Sequence, residues 1–192
     1  MTGYERLAGT GTLADGSRLV WTVAEGRRGR RWRAVTSLDG AISHVLLLEV
    51  DPDGRPTRLE LTTRAGMLTL HPDDGRGWLH GNVVSSEGVR HLRLPWSREH
   101  GLEVEGGPLA TAVTALRLGP TTAVGEGRTI PLIVIGADLG ISEATRRFER
   151  LGESEWRIGR AVGARGATTI SVDFRGIPIG ISAAAEWPLE ID

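Results

Sequence analysis

Four of the five histidines lie in the middle of the chain, and their spacing raises the question of a metal site. They are His71, His80, His91 and His100, at intervals of nine, eleven and nine residues. Such intervals let neighbouring strands bring imidazoles together, and imidazole nitrogens bind zinc or iron. No two of them have the H-x-H or H-x-x-x-H spacing that fixes two ligands on one element. We therefore predict no metal, and keep a metal-dependent enzyme built on this histidine series as an alternative.

The densest basic stretch runs over residues 27–33 and holds five arginines and one tryptophan. Guanidinium groups bind phosphates, so the stretch raises the question of nucleic-acid binding. However, the 23 basic residues of the chain are matched by 24 acidic ones, and no second basic run extends the stretch. Gly26 and Gly29 favour a turn between two strands. We predict a hairpin whose arginines pair with glutamates of neighbouring strands, and no nucleic-acid partner.

Six tryptophans are many for a chain with one tyrosine and two phenylalanines. An indole buries a large apolar area and keeps one N–H donor, so it suits a packed core or the wall of a ligand pocket. Trp78 and Trp96 are the candidates for a pocket wall, because each lies near a glycine, proline or asparagine at the end of a predicted strand. For the others we expect core packing: Trp21, Trp32, Trp156 and Trp187.

Common catalytic motifs are absent from the sequence. It contains no G-x-S-x-G turn, no G-x-x-x-x-G-K-[ST] loop and no G-x-G-x-x-G between a strand and a helix. The carboxylates are scattered over turns and polar strand faces, so no glycosidase pair can be inferred. The absence of cysteine excludes a disulfide, a thiolate metal site and a cysteine nucleophile. These absences favour a non-catalytic protein without a cofactor.

Turn signals recur along the chain, and short apolar or alternating segments lie between them. Leu59 and Leu61 alternate with Glu60 and Thr62, which is typical of a strand with one buried face. The glycine-rich segment 160–166 is predicted to be a long hairpin loop. Strands are predicted at 44–50, 58–63, 67–70, 78–84, 89–94, 102–105, 111–118, 130–135, 156–158 and 168–174.

One helix is predicted, over residues 142–151. Ser142 can cap its first turn, and Ala144 and Phe148 share one face. The sheet must close or curl over itself to hide its edges, and 192 residues suit one domain over 1–192. The predicted fold is mostly β, a single large curved antiparallel sheet that forms a barrel-like or half-barrel roll, with one short helix.

The chain starts without an apolar signal segment, and its longest apolar runs fall far short of the roughly 20 residues that span a bilayer. We therefore expect a cytoplasmic protein with no membrane insertion. The absence of lysine fits a GC-rich coding bias. The sequence leaves homo-oligomerisation open.

Three segments of the middle of the chain resemble a known family. They are GRGWLHGN at 75–82, LPW at 94–96 and GPLATAVTALRL at 107–118, and the similarity extends in outline over 39–186. They resemble a family described as glycolipid-binding and long carried as a domain of unknown function. The positions that match its pattern are Trp78, Gly81, Arg117 and Leu118.

The resemblance implies a strongly curved antiparallel sheet with an apolar interior that binds a lipid or glycolipid. In that fold Gly81 is required by the backbone geometry, and Leu118 packs in the core. Arg117 either lines a cavity, where it binds a carboxylate, phosphate or sugar hydroxyl, or lies on the surface and pairs with a glutamate. We expect a non-catalytic protein that encloses an amphipathic small molecule, with Trp78, Trp96 and Arg117 as its ligand-binding residues. A structural or interaction protein with a filled barrel is the third alternative.

Overall fold

The computed structural model of the chain describes residues 5–13, 15–73, 75–160 and 166–181. Within these ranges the strands form one sheet of eight and one of six, and the single α-helix follows the ninth strand. The predicted class is confirmed: the protein is mostly β, with a large curled antiparallel sheet and one short helix. The strands are divided between two sheets, and the helix packs against both.

The eight-stranded sheet is an antiparallel meander in which each strand pairs with the next along the chain. Successive hairpins turn at opposite ends of such a sheet. We call the end with the first, third, fifth and seventh turns the cleft end. The other is the arginine end, because Arg27 and Arg28 form its first turn. The strands are β1 (Glu5–Thr12), β2 (Arg18–Gly26), β3 (Gly29–Leu38), β4 (Ala41–Val50), β5 (Pro56–Thr63), β6 (Gly66–Asp73), β7 (Trp78–Ser85) and β8 (Gly88–Pro95).

The six-stranded sheet has the order β14-β13-β12-β11-β10-β9. Its pairs are antiparallel except that β9 runs parallel to β10. The parallel pair requires a crossover, and helix α1 (Leu109–Leu118) with a 3-10 turn (Gly119–Thr121) lies within it. The strands are β9 (Gly101–Val104), β10 (Gly127–Ile135), β11 (Ile141–Arg150), β12 (Glu155–Arg160), β13 (Thr168–Val172) and β14 (Pro178–Ile181).

Helix α1 is buried on both sides. Leu109 and Val113 belong to the core of the eight-stranded sheet, whereas Ala112, Ala115 and Leu118 pack with the six-stranded sheet. A helix that is apolar all round is stable only where it is covered all round, as this one is. Among the described residues no helix has both the length and the apolar character needed to cross a bilayer.

Side chains fill the interior of the eight-stranded sheet. Trp21 and Trp32 are fully buried among leucines of β2 to β7. Leu139, from the β10–β11 turn, and Ile177, from the β13–β14 turn, complete this core. The core prediction is thus confirmed for these two tryptophans, and also for Trp156, which is buried with the six-stranded sheet. Trp187 lies outside the described residues.

Two predicted elements are wrong. Segment 111–118, predicted to be a strand, lies in α1. Alanine and leucine are strong helix formers, and a segment that is apolar on every side shows no period that could separate the two structures. Segment 142–151 is predicted to be a helix, but its residues 142–150 belong to strand β11. Ala144 and Phe148 are four residues apart, so they share a face in a strand as well as in a helix.

Other strands agree with the predictions, with shifted ends, but β1 and β14 are missing from the predictions. Residues 161–165 of the predicted loop 160–166 lie outside the described residues.

Candidate functional site

A cavity of about 650 Å³ opens at the cleft end, beside the N-terminus of α1 and the turn that follows β9. In the part of the chain that the structure describes, helix α1 covers one portion of the inner face of the six-stranded sheet, and the cavity lies over another. Ile158 and Ile170 therefore pack in the core of that sheet and also line the cavity. Leu13, Val104 and Pro108 also belong to its apolar wall.

An ion pair lies in the wall of this larger cavity. The Nε atom of Arg146 on β11 is 3.1 Å from Oε2 of Glu103 on β9, and about a quarter of each side chain is exposed (24% and 22%). Both residues lie within strands, so the pair is held by the sheet rather than by a mobile loop. The sequence predictions missed both residues as site candidates, and Arg146 falls in the segment that was assigned to a helix.

A smaller cavity of about 180 Å³ adjoins the larger one. The two share Asp15, Val104, Glu105 and Gly106, so together they form one cleft. The smaller cavity reaches into the mouth of the eight-stranded sheet, and its mostly apolar wall includes four residues with hydroxyl groups: Ser17, Thr36, Ser43 and Thr63.

His44 lies in the smaller cavity and is the histidine outside the predicted series. Its ring is buried, with Nε2 3.0 Å from Oγ1 of Thr36. Burial lowers the pKa of His44 below its ordinary value, so the imidazole is neutral at neutral pH. A Cβ on Gly107 would lie 3.1 Å from the same ring nitrogen, so a glycine lets the β9 turn approach the ring. Alternation with Leu46 and Leu48 was a sequence signal that His44 faces inward.

Arg117, a predicted ligand-binding residue, lies at the last turn of α1 near the arginine end. Its guanidinium donates hydrogen bonds to the backbone oxygens of Arg98 (2.9 Å) and Glu99 (3.1 Å). Burial lowers the pKa of Arg117, and the charges of Arg128 and Arg55 add to that effect. Arg117 therefore anchors the segment between β8 and β9 to the helix.

Trp96 begins that segment and Trp78 lies on the neighbouring strand β7, and neither lies in the cleft. Trp96 is buried in the core and stacks on His100, with ring centroids 5.2 Å apart. Trp78 is half-buried on the outer face of β7, and the guanidinium of Arg93 lies 4.0 Å from the centre of its ring. Neither tryptophan nor Arg117 lines either cavity. Their ligand-binding role stays a prediction.

The histidine series is only partly brought together. His71 and His80 lie opposite each other on β6 and β7, exposed to solvent. Nδ1 of His91 is 2.6 Å from Oδ1 of Asn82, and Nδ1 of His100 accepts a hydrogen bond from a backbone N–H. Within the described ranges, no group of three or more histidine, aspartate or glutamate side chains could hold a metal ion.

The arginine stretch forms the β2–β3 hairpin, as predicted. Arg30 pairs with Glu25 across that hairpin at 2.9 Å, and Arg31 pairs with Glu49 of β4 at 2.6 Å. Arg30 also donates to the backbone oxygen of Phe174 at 2.8 Å, which ties the hairpin to the β13–β14 turn. The predicted pairing with glutamates is confirmed for these two arginines.

Comparison with known proteins yields one similar fold. No protein-family model and no curated protein sequence matches the chain. A crystal structure of a DUF1089 family protein from Pseudomonas aeruginosa matches it with a TM-score of 0.56, over 94% of this chain and 89% of that one. Sequence identity is 18%, so the similarity shows the fold alone. The chain thus shares its fold with a protein from a family of unknown function. This agrees with the resemblance to a domain of unknown function, and it carries no information on glycolipid binding.

Proposed function

We propose that the protein is a non-catalytic binding protein that holds an amphipathic small molecule, such as a lipid or glycolipid, in the cleft formed by the two cavities. The observation that carries the proposal is the larger cavity, with its volume of about 650 Å³ and its apolar wall. Ligand pockets typically measure about 300–1,000 Å³ and combine apolar walls with a few well-placed polar groups.

The apolar part of the ligand would lie against the uncovered face of the six-stranded sheet. Ile158 and Ile170 form the floor there, and Leu13 and Val104 form the side toward the eight-stranded sheet. Each buried methylene contributes about 0.8 kcal/mol. A chain of about eight methylenes would therefore supply about 6 kcal/mol, before the entropy of association is subtracted.

The polar part of the ligand would bind at the rim. Arg146 and Glu103 offer donors and acceptors from one ion pair, and the Thr111 hydroxyl offers both. Helix α1 starts at the cavity with no side-chain cap and no acidic residue in its first turn. Its first backbone N–H groups have no partner within the helix, and they add donors at the same rim.

A variant that fills the larger cavity tests the proposal. Thr111 lies in the cavity wall and is half-exposed, so Thr111→Trp places an indole in the space that the ligand needs. Thr129→Trp on the exposed side of β10 is the matched control. Calorimetry and native mass spectrometry with dodecyl maltoside, below its critical micelle concentration, measure binding.

We expect one bound maltoside per chain for the unmodified protein and for Thr129→Trp. Thr111→Trp should bind about tenfold more weakly or worse, because pocket filling removes the buried contact area. No binding to the unmodified protein would refute the proposal. Equal binding by Thr111→Trp would place the ligand elsewhere and refute the assigned site.

A further inference from the structure

The two cavities of the cleft meet at the protein surface. The larger cavity reaches Ile158 and Ile170 in the core of the six-stranded sheet, and the smaller one reaches Leu61 in the core of the eight-stranded sheet. Between these two floors lie the four residues that both walls share, of which all but Val104 are exposed: Asp15, Val104, Glu105 and Gly106. The cleft is therefore forked, and its two branches join at an exposed rim.

The wall of the smaller cavity is mostly apolar, and its buried polar groups have partners within the protein. Oγ1 of Thr36 is 3.0 Å from Nε2 of His44, and both residues are buried. Burial lowers the pKa of His44, so its imidazole carries no charge at neutral pH. Within the described part of this wall, no buried polar side-chain atom lacks a hydrogen-bond partner. The group that fits here is apolar, because a polar group would lose its hydration without gaining a hydrogen bond.

Leu38 extends this apolar wall to the protein surface. Its side chain lines the smaller cavity and is 42% exposed, whereas Leu61 behind it is 1% exposed. An apolar group that enters the cavity would therefore contact a buried leucine and also cover part of an exposed one. Both contacts remove apolar area from water and favour binding.

The two branches differ in size, with volumes of about 650 Å³ and about 180 Å³. A water molecule takes about 30 Å³ in the liquid, and a methylene group takes roughly as much. The smaller branch therefore holds about four to six carbon atoms, and the larger one holds a chain several times longer. A linear chain that filled both branches would cross the exposed rim, with its middle against the carboxylates of Asp15 and Glu105. A forked chain instead leaves only its branch point and polar head there.

We propose that the cleft selects forked amphiphiles with two apolar chains of unequal length. The polar head and the branch point lie at the rim, the longer chain lies in the larger cavity, and the short branch fills the smaller cavity. This inference rests on the proposed binding function. It adds the shape of the apolar part to what the cleft selects.

Two isomeric maltosides test this inference by calorimetry below their critical micelle concentrations. Dodecyl maltoside has a linear chain, whereas 2-butyloctyl maltoside has the same head and the same number of carbons but carries a butyl branch beside the head. Ala137→Phe fills the smaller cavity, because Ala137 lines that cavity and not the larger one. Ala137 is exposed in the β10–β11 turn, so the variant keeps the fold.

Each buried methylene contributes about fourfold in affinity. Ala137→Phe should therefore weaken 2-butyloctyl maltoside about tenfold or more, because the butyl branch is expelled, and should leave dodecyl maltoside within about twofold. Ala65→Phe is the matched control, since Ala65 is exposed in the β5–β6 turn of the same end and lines neither cavity. It should change neither affinity.

Methyl NMR on the unmodified protein locates the two chains without any substitution. Ile158 lines the larger cavity and not the smaller one, and Leu61 lines the smaller cavity and not the larger one. On titration with 2-butyloctyl maltoside, the methyl signals of both residues should shift. With dodecyl maltoside, the Ile158 signal should shift and the Leu61 signals should stay in place.

The outcomes separate this inference from the proposed function. The forked site is overturned if 2-butyloctyl maltoside binds without a shift at Leu61 or keeps its affinity in Ala137→Phe. A shift at Leu61 with dodecyl maltoside also overturns it, because one linear chain would then fill both branches. In each of these cases, binding of dodecyl maltoside with a shift at Ile158 still upholds the proposed function. Failure of both maltosides to bind the unmodified protein overturns both.

Discussion

Arg150, the last residue of β11, holds the crossover between the two sheets in place. Its Nη1 atom donates to the backbone oxygens of Gly119 (2.9 Å) and Thr122 (3.0 Å), at the end of α1 and its 3-10 turn. Nε and Nη2 donate to the backbone oxygens of Gly152 (3.1 Å) and Glu153 (3.0 Å) in the β11–β12 turn. One guanidinium therefore ties two carbonyl groups just beyond the last turn of α1 to the β11–β12 turn.

Replacement of Arg150 by methionine keeps most of the apolar stem and removes all four hydrogen bonds. A hydrogen bond to a charged group contributes about 1.5–3 kcal/mol to stability. The two hydrogen bonds at the helix end are part-buried and join residues about 30 positions apart in the chain. We therefore count only these two bonds, each near the lower end of that range. Arg150→Met should cost about 3–4 kcal/mol. Arg150→Lys, which keeps the charge but loses the planar fork, should cost about half as much.

Urea unfolding followed by tryptophan fluorescence measures the free energy of unfolding. Arg147→Met is the matched control on the same strand, because Arg147 is exposed and its hydrogen bond within the described residues is a long one, 3.5 Å to the backbone oxygen of Gly127. It should stay within about 0.5 kcal/mol of the unmodified protein. In a thermal scan Arg150→Met should lower Tm by about 6–16 °C. Equal stability of the Arg150 and Arg147 variants would show that the helix end does not depend on this guanidinium.

Two further predictions concern the eight-stranded sheet. A Cβ on Gly81 would lie 2.1 Å from the backbone oxygen of Thr69, so Gly81→Ala should push β6 from β7 and cost about 1–3 kcal/mol in urea unfolding; an unchanged midpoint would contradict the packing. His44 has a folded pKa below 6.5, so the unfolded chain binds more protons, and stability should fall as pH drops below about 6.5 toward the folded pKa. The loss of unfolding free energy between about pH 7.5 and about pH 5.5 should be smaller in His44→Gln, and an equal loss would exclude His44 as its source.

The hydrophobic pattern predicted secondary structure correctly wherever one face of an element is buried and the other is exposed to solvent. The alternation around Leu59 and Leu61 corresponds to β5, whose inner positions are buried. It failed for α1, which is covered on both sides, because a uniformly apolar segment has no period. It also failed for β11, where Arg146 and Arg150 point inward and break the apolar alternation. These two inward-facing arginines have specific roles, since Arg146 lines the cleft and Arg150 binds the end of the helix.

The cleft itself could not be predicted, because its wall is assembled from distant segments. Leu13 and Ile170 meet in one cavity although 157 positions separate them in the chain. Trp96 and Arg117 were chosen by residue type, and their partners are core side chains and backbone oxygens that no side-chain pattern reveals. The inward orientation of His44 could have been predicted from the period-two pattern, since His44 alternates with buried leucines of β4.

Methyl NMR on protein with labelled isoleucines shows whether the larger cavity is the binding site. Ile158 and Ile170 line the cavity, whereas Ile133 and Ile177 are fully buried elsewhere in the core. On titration with dodecyl maltoside, we expect saturable shifts of the Ile158 and Ile170 methyl signals and little change at Ile133 and Ile177. Saturable binding without a shift of the Ile158 and Ile170 signals would show that the ligand binds elsewhere.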